Sequence, residues 1–340
     1  MDDHVSQLHI DAVVVDAHSD VFNDVAYRRR AGETNVLRRL HVPAWRAGGV
    51  DVVVTTLYVE GEYKPDRGLS RAMTLLGAAL NDIDETYEIA VCRTRSEIDA
   101  AVAAGQIAFI LAIEGGECVQ DGLESLRVFY QLGVRLLGLT WNQRNMLADG
   151  VGEERSGGGL TELGREMVRE ANRLGILLDV SHLSVKSFWD LLETSDAPVI
   201  ASHSNAKRLC GHRRNLDDDQ IRALIETGGV VGINGVAAFL DDDPAKASLG
   251  RALDHIDYIA EIVGPEHVAL GPDFVDFLGA HGFGSSAASS SDERHVPAGF
   301  GTIRDMPNVT AGLLERGYAE NEIRGILGEN FLRVLTRVTG

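Results

Sequence analysis

Short, nearly uninterrupted apolar runs recur along the chain and alternate with longer stretches of helical periodicity. The short runs are Ala12–Ala17, Val50–Tyr58, Ile107–Ile113, Val134–Thr140, Ile176–Val180, Pro198–Ser202, Val230–Asn234 and Val268–Gly271. Each suits a strand covered on both faces, as in a parallel sheet. Between them, Ser70–Ile89, Gly122–Leu132, Thr161–Leu174, Ser184–Thr194, Asp217–Thr227 and Leu249–Val263 predict helices. Ser184 and the run Asp217-Asp218-Asp219 stand where helix caps belong, and Gly175, Gly228 and Gly264 stand where helices would stop. Asn308 to Arg337 predicts two amphipathic helices closing the structure.

Eight strands alternating with helices is the count a (β/α)₈ barrel requires, so the expected fold is α/β, a TIM-like barrel over residues 1–340 as one domain. An open doubly wound sheet is the other arrangement. It often carries a glycine-rich phosphate loop after its first strand, whereas here that strand runs into Asp16-Ala17-His18-Ser19-Asp20. Gly279 to Gly301 is rich in Ser and Gly and follows the last strand; a mobile surface loop and an active-site lid both fit it.

Composition narrows the partners. The chain has 340 residues, 44% of them hydrophobic, which is ample for a large core. A net charge of -19 argues against nucleic acid, which needs clustered Lys and Arg, and against an anionic membrane surface. The 3 cysteines, Cys92, Cys118 and Cys210, form no disulfide framework, so a reducing compartment is the default. The run Ala12–Val15 is too short for a signal-peptide core, and no stretch approaches the roughly 18 apolar residues of a membrane span. A cytoplasmic protein is expected.

The candidate chemistry lies at strand ends. His18 and Asp20 are spaced to share a face if the strand continues. Glu114 directly follows a buried apolar run and precedes Gly115-Gly116. Leu178-Asp179-Val180-Ser181-His182 and Ala201-Ser202-His203 bring a histidine to two successive strand ends, and Gly271-Pro272-Asp273 brings an acid to the last. In a barrel these ends converge on one face. Imidazoles and carboxylates suit zinc or a similar divalent ion. Glu114 can bridge two ions, with His18 and Asp20 completing one and His182 and His203 the other. A pair of such ions can hold a nucleophilic hydroxide at neutral pH, and Asp273 is the acid left over to move its proton. Arg208, Arg213 and Arg214 follow the second histidine. Residue chemistry leaves two readings open: a clamp for a substrate carboxylate, or pairing with Asp217 and Asp218.

Together, DAHSD at 16–20, EGG at 114–116, DVSH at 179–182, SHS at 202–204, RNL at 214–216 and GPDF at 271–274 resemble the membrane (renal) dipeptidase family of the amidohydrolase superfamily. The resemblance runs from about Val14 to Phe274. It implies a distorted (β/α)₈ barrel with two zinc ions. His18 and Asp20 would bind one ion and His182 and His203 the other, with Glu114 bridging, Asp273 as acid/base and Arg214 on the substrate carboxylate. It further implies a homodimer hydrolysing dipeptides, often with a D-residue at the C-terminal position. Two departures stand out. Trp141 occupies the place of a family histidine that contacts substrate, leaving Asn142 or Asn145 to supply a hydrogen bond. Val275-Asp276 follows Asp273-Phe274, where the family usually has Asp-Gly. These departures keep a related hydrolase or lyase open, acting on a cyclic amide, an N-acyl amino acid or a natural-product intermediate. A barrel that binds metal without chemistry is the non-enzymatic alternative.

Overall fold

All eight apolar runs form strands, and one more strand joins them. In the computed structural model, which describes residues 2–281 and 295–340, the strands are β1 (Val15–Ser19), β2 (Val52–Tyr58), β3 (Ile89–Val91), β4 (Ile107–Glu114), β5 (Val134–Gly138), β6 (Leu177–Asp179), β7 (Val199–Ile200), β8 (Val231–Ile233) and β9 (Val268–Leu270). Every ladder is parallel. One sheet runs β1-β2-β4-β5-β6-β7, with β3 on the edge of β4 below β5; β8 and β9 form a second pair. Among the described residues a single bridge, between Ala201 and Val231, joins the two sheets, and β9 packs beside β1 without a ladder. The result is a distorted α/β barrel wrapped in helices.

The uninterrupted apolar runs follow from this geometry. Along β2, Val52 and Val54 face the barrel interior, while Val53 and Leu57 face the helices; β4 repeats the pattern with Ala108, Ile110 and Ala112 against Phe109, Leu111 and Ile113. Both faces are dry, so no polar alternation survives. The C-terminal helix Asn330–Thr339 adds Phe331, Leu332, Val334 and Leu335 to the interior cluster.

Several boundaries differ from the sequence expectation. The first strand starts at Val15, because Ala12 still closes the helix Asp3–Asp11 with its N–H on the Leu8 carbonyl. Helix Gly68–Asp84 stops short of Ile89, which pairs with Ile107 in β3. Three apolar residues between two helices give a weak periodic signal, so β3 is legible only from its partner. The caps behave as their chemistry predicts. Ser184 accepts from Ser187 N–H, and Asp217 forms a capping box with Gln220. The three cysteines are free and buried. Among the described residues no helix is long and apolar enough to cross a membrane. Residues 282–294, within the segment considered above as loop or lid, lie outside the described residues. Past them the chain returns through a bridge between Ala298 and Ser248, and Phe300 packs edge-on against Phe274 at 5.0 Å.

Gly232 and Gly271 flank the seam between the two sheets. A Cβ on either would run into the Ser202 carbonyl oxygen. Gly232→Ala therefore should cost roughly 3 kcal/mol or more, as a backbone clash that no rotamer relieves. Urea denaturation of the variant checks this; a loss under about 0.5 kcal/mol would show that the seam yields freely.

Candidate metal centre

The ends of β1, β4, β6, β7 and β9 together build a cluster at the C-terminal mouth of the barrel. His18 lies inside β1, and Asp20 sits just beyond it, where helix Val21–Arg30 begins. Glu114 is the last residue of β4. His182, His203 and Asp273 each stand three residues past the ends of β6, β7 and β9. His182 and Asp273 adopt positive φ, 70° and 56°, a conformation uncommon for non-glycine residues that turns each side chain sharply back over the mouth.

Glu114 is the hub. Its Oε1 lies 2.9 Å from His182 Nε2, 3.5 Å from His18 Nε2 and 3.6 Å from His203 Nε2. Asp20 Oδ1 and Asp273 Oδ1 lie 3.9 and 3.8 Å from His18 Nε2. Two overlapping groups have ligand atoms within 4.8 Å of one another: His18, Glu114 and His203, and His18, Asp20 and Asp273. The surrounding hydrogen bonds decide which nitrogens are bare. His182 Nδ1 lies 2.9 Å from the Asn142 side-chain oxygen, an acceptor, so Nδ1 carries the proton. Ser202 Oγ donates to Asp179 and so accepts from His203 Nδ1 at 2.6 Å. Both Nε2 atoms are then lone pairs, 2.9 Å apart. Facing lone pairs repel unless a cation lies against both. Buried His18 Nε2 and Glu114 Oε2 have no hydrogen-bond partner. Orphaned lone-pair atoms of this kind fit divalent cations, with outer partners fixing the His182 and His203 rings.

Burial dominates the acid–base properties. It pushes Asp16, Asp20 and Asp273 up to about 7 and Glu114 up to about 8, and neighbouring carboxylates add to each rise. It holds His182 and His203 well below the ordinary imidazole range, which keeps them neutral and able to ligate. Arg214 is buried and lowered to about 10 by desolvation. Its Nη2 donates to the His203 carbonyl at 3.2 Å, while Nε has no partner. Among the described residues, Arg214 pairs with neither Asp217 nor Asp218.

The residues after β5 divide their work. Trp141 lies 5.7 Å from the His182 ring and 5.3 Å from Tyr58, centroid to centroid. Asn142 orients His182. Asn145 is turned inward: its Nδ2 donates to the Leu139 carbonyl and its Oδ1 accepts from Leu147 and Ala148 N–H, so its amide builds the loop. Other contributors escaped the sequence reading. Thr56 donates to Asp20, and Asn234 Nδ2 donates to Asp273 Oδ2 at 3.2 Å. Asp179 accepts from Ser181 and Ser202 N–H, tying the loops after β6 and β7 together. Of these, only Asp179 had a visible signal, an acid inside an apolar run.

A barrel with a histidine–carboxylate cluster at its C-terminal mouth defines a metal-dependent hydrolase of the amidohydrolase type. A sequence profile of the membrane dipeptidase family, peptidase family M19, matches residues 2–339, and the chain belongs to that family. It is by that membership a metallo-dipeptidase. A metallopeptidase from Rhodobacter sphaeroides, crystallised with a phosphinate mimic of the dipeptide L-Ala-D-Ala, superposes with a TM-score of 0.84 at 28% identity, covering 96% of this chain and 100% of that one. A dipeptidase of family M19 superposes equally well, TM-score 0.84 at 29% identity, covering 97% and 99%. A Klebsiella pneumoniae protein described as an uncharacterized protein in the pqqA 5′ region is 34% identical over 256 residues, 73% of this chain and 88% of its own length.

The raised carboxyl pKa values set how the metal-free fold responds to pH. These acids release their protons at higher pH when folded than when unfolded. Below about pH 6.5 the buried neutral histidines offset these acids; between about pH 6.5 and pH 8 the fold binds more protons than the unfolded chain and loses stability as pH rises. In chelator, the melting temperature should fall across this window, and added divalent metal should raise it most at the alkaline end. Scanning calorimetry tests this; a metal-induced shift independent of pH would contradict it. Asp179→Asn, which removes the acceptor behind Ser202 and His203, should weaken metal binding by roughly 10- to 100-fold. Metal titration gives the answer, and unchanged affinity would show that His203 needs no such support.

Proposed function

We propose that this chain is a binuclear zinc dipeptidase, with His18 and Asp20 holding one ion, His182 and His203 the other, and Glu114 shared between them. The carrying observation is Glu114 Oε1 within 3.6 Å of three imidazole Nε2 atoms. When bound, the ions would polarise the scissile carbonyl and acidify a water at neutral pH. The chain's residues do the rest. Arg214 fixes the C-terminal carboxylate of a dipeptide through its unpaired Nε, a charge-assisted contact in a dry pocket. That anchor sets the distance from the chain end to the bond being cut, which restricts the substrate to two residues. Asp273 keeps Oδ2 on Asn234 and turns Oδ1 toward His18, so a proton is taken up and released at Oδ1. Its side chain retains 16% exposure, enough to meet a substrate. A pKa raised to about 7 suits it both to accept the proton of the attacking water and to deliver it to the leaving amine. The phosphinate mimic of L-Ala-D-Ala bound by the Rhodobacter relative supports small dipeptides as substrates, including those ending in a D-residue.

Asp273→Asn should retain its metal and lose about 100-fold or more in kcat. Metal analysis and a panel of L-Xaa-L-Xaa and L-Xaa-D-Xaa dipeptides, run on one preparation, test both statements. Metal-loaded wild type inert toward the whole panel would end the dipeptidase reading, and near-normal turnover in Asp273→Asn would move the proton to another group. Arg214→Met should raise KM by about 100-fold for free dipeptides and far less for their C-terminal amides. An equal effect on both would remove Arg214 from carboxylate binding.

A further inference from the structure

Behind Trp141 lies a buried ion pair that the proposed chemistry does not use. Lys64, on the loop after β2, places Nζ 3.2 Å from Glu117 Oε1. The two side chains are only 11% and 2% exposed. Neither Lys64 Nζ nor the two Glu117 oxygens make a hydrogen bond. Nζ instead faces two rings, 5.2 Å from the centre of Tyr58 and 5.5 Å from that of Trp141. A Cβ on Gly115 would strike Glu117 Oε2 and come within 3.3 Å of the Trp141 backbone nitrogen, so the carboxylate lies back against the main chain. The layers therefore run from Glu117 through the ammonium to the rings and then to His182. Positive charge is presented toward the metal centre, and its field reaches Glu114 and His182.

The topology gives this wall its meaning. It is built at the ends of β2, β4 and β5, while Arg214 follows β7 and rests over Phe239 beyond β8. In a ring ordered β1-β2-β4-β5-β6-β7-β8-β9 these sectors are nearly opposite. With the carboxylate of a dipeptide at Arg214, its first residue would extend toward the Tyr58–Trp141 wall that the Lys64 ammonium backs. We propose that Lys64 is a specificity-determining residue: its ammonium, seated between Tyr58 and Trp141, selects dipeptides whose first residue carries an anionic side chain and rejects those with a cationic one. This rests on the dipeptidase reading. A charge in such a low-dielectric wall discriminates strongly between opposite charges.

The test compares kcat/KM for Glu-Ala and Lys-Ala within each variant, so that any loss common to both substrates cancels. Wild type should favour Glu-Ala by about tenfold or more, Lys64→Arg should keep that preference, and Lys64→Met should bring the ratio to within about twofold of unity. Calorimetric Kd values for phosphinate mimics of the same two dipeptides read the same wall without turnover. If the enzyme cleaves neither of these nor any other dipeptide of the panel, the dipeptidase reading fails, and the Kd ratio still decides the role of Lys64. A ratio near unity in wild type, or an unchanged ratio in Lys64→Met, would overturn the proposal and leave the pair as a staple between two loops.

Discussion

The organising constraint is the gathering of four carboxyl groups and three imidazoles in a nearly waterless mouth. Asp16, Asp20, Glu114 and Asp273 are each driven toward the protonated state by burial, while His182 and His203 are driven toward neutrality. Left to themselves these groups would disperse or take up protons. They are held in place by the strand ladders beneath them and by hydrogen bonds donated by Thr56 and Asn234 and accepted by Asn142 and Ser202. Divalent cations would resolve the same conflict from above, making the apolar barrel a rigid support for a site that is unfavourable on its own.

That division explains what the sequence made legible. A strand buried on both faces leaves an unbroken apolar run, so a polar residue at its end is conspicuous. Glu114, His182, His203 and Asp273 were visible for this reason, and His18 and Asp20 through their spacing. The barrel was legible from the count and rhythm of those runs. The supporting residues were not. Thr56 belongs to β2 and Asn234 stands at the end of β8, where a threonine or an asparagine passes as strand or turn chemistry. Their partners come from other strands, and only the ring of parallel neighbours reveals the pairing. Lys64 and Glu117 are more than fifty positions apart and read separately as ordinary loop charges.

Trp141 shows how a departure from a family pattern acquires meaning only in three dimensions. In sequence it is a histidine replaced by an aromatic ring. In the fold the same ring touches the histidine layer on one side and lies against an ammonium on the other. Asn142 and Asn145, its near neighbours, hold His182 and the loop itself. The segment after β5 is thus a structural wall for the centre as much as a lining for substrate.

The interrupted hydrogen-bond ring carries an evolutionary consequence. His18, Asp20, Glu114, His182 and His203 all hang from the larger sheet, whereas Asp273 and its partner Asn234 hang from the β8–β9 pair, which among the described residues shares no ladder with the rest. The proposed metal ligands and the proposed proton carrier therefore belong to different ladders, tied across the seam by Ser204 and Asn205. Substitutions in the smaller piece could then retune which bond is broken while the proposed metal ligands on the larger sheet stay in place.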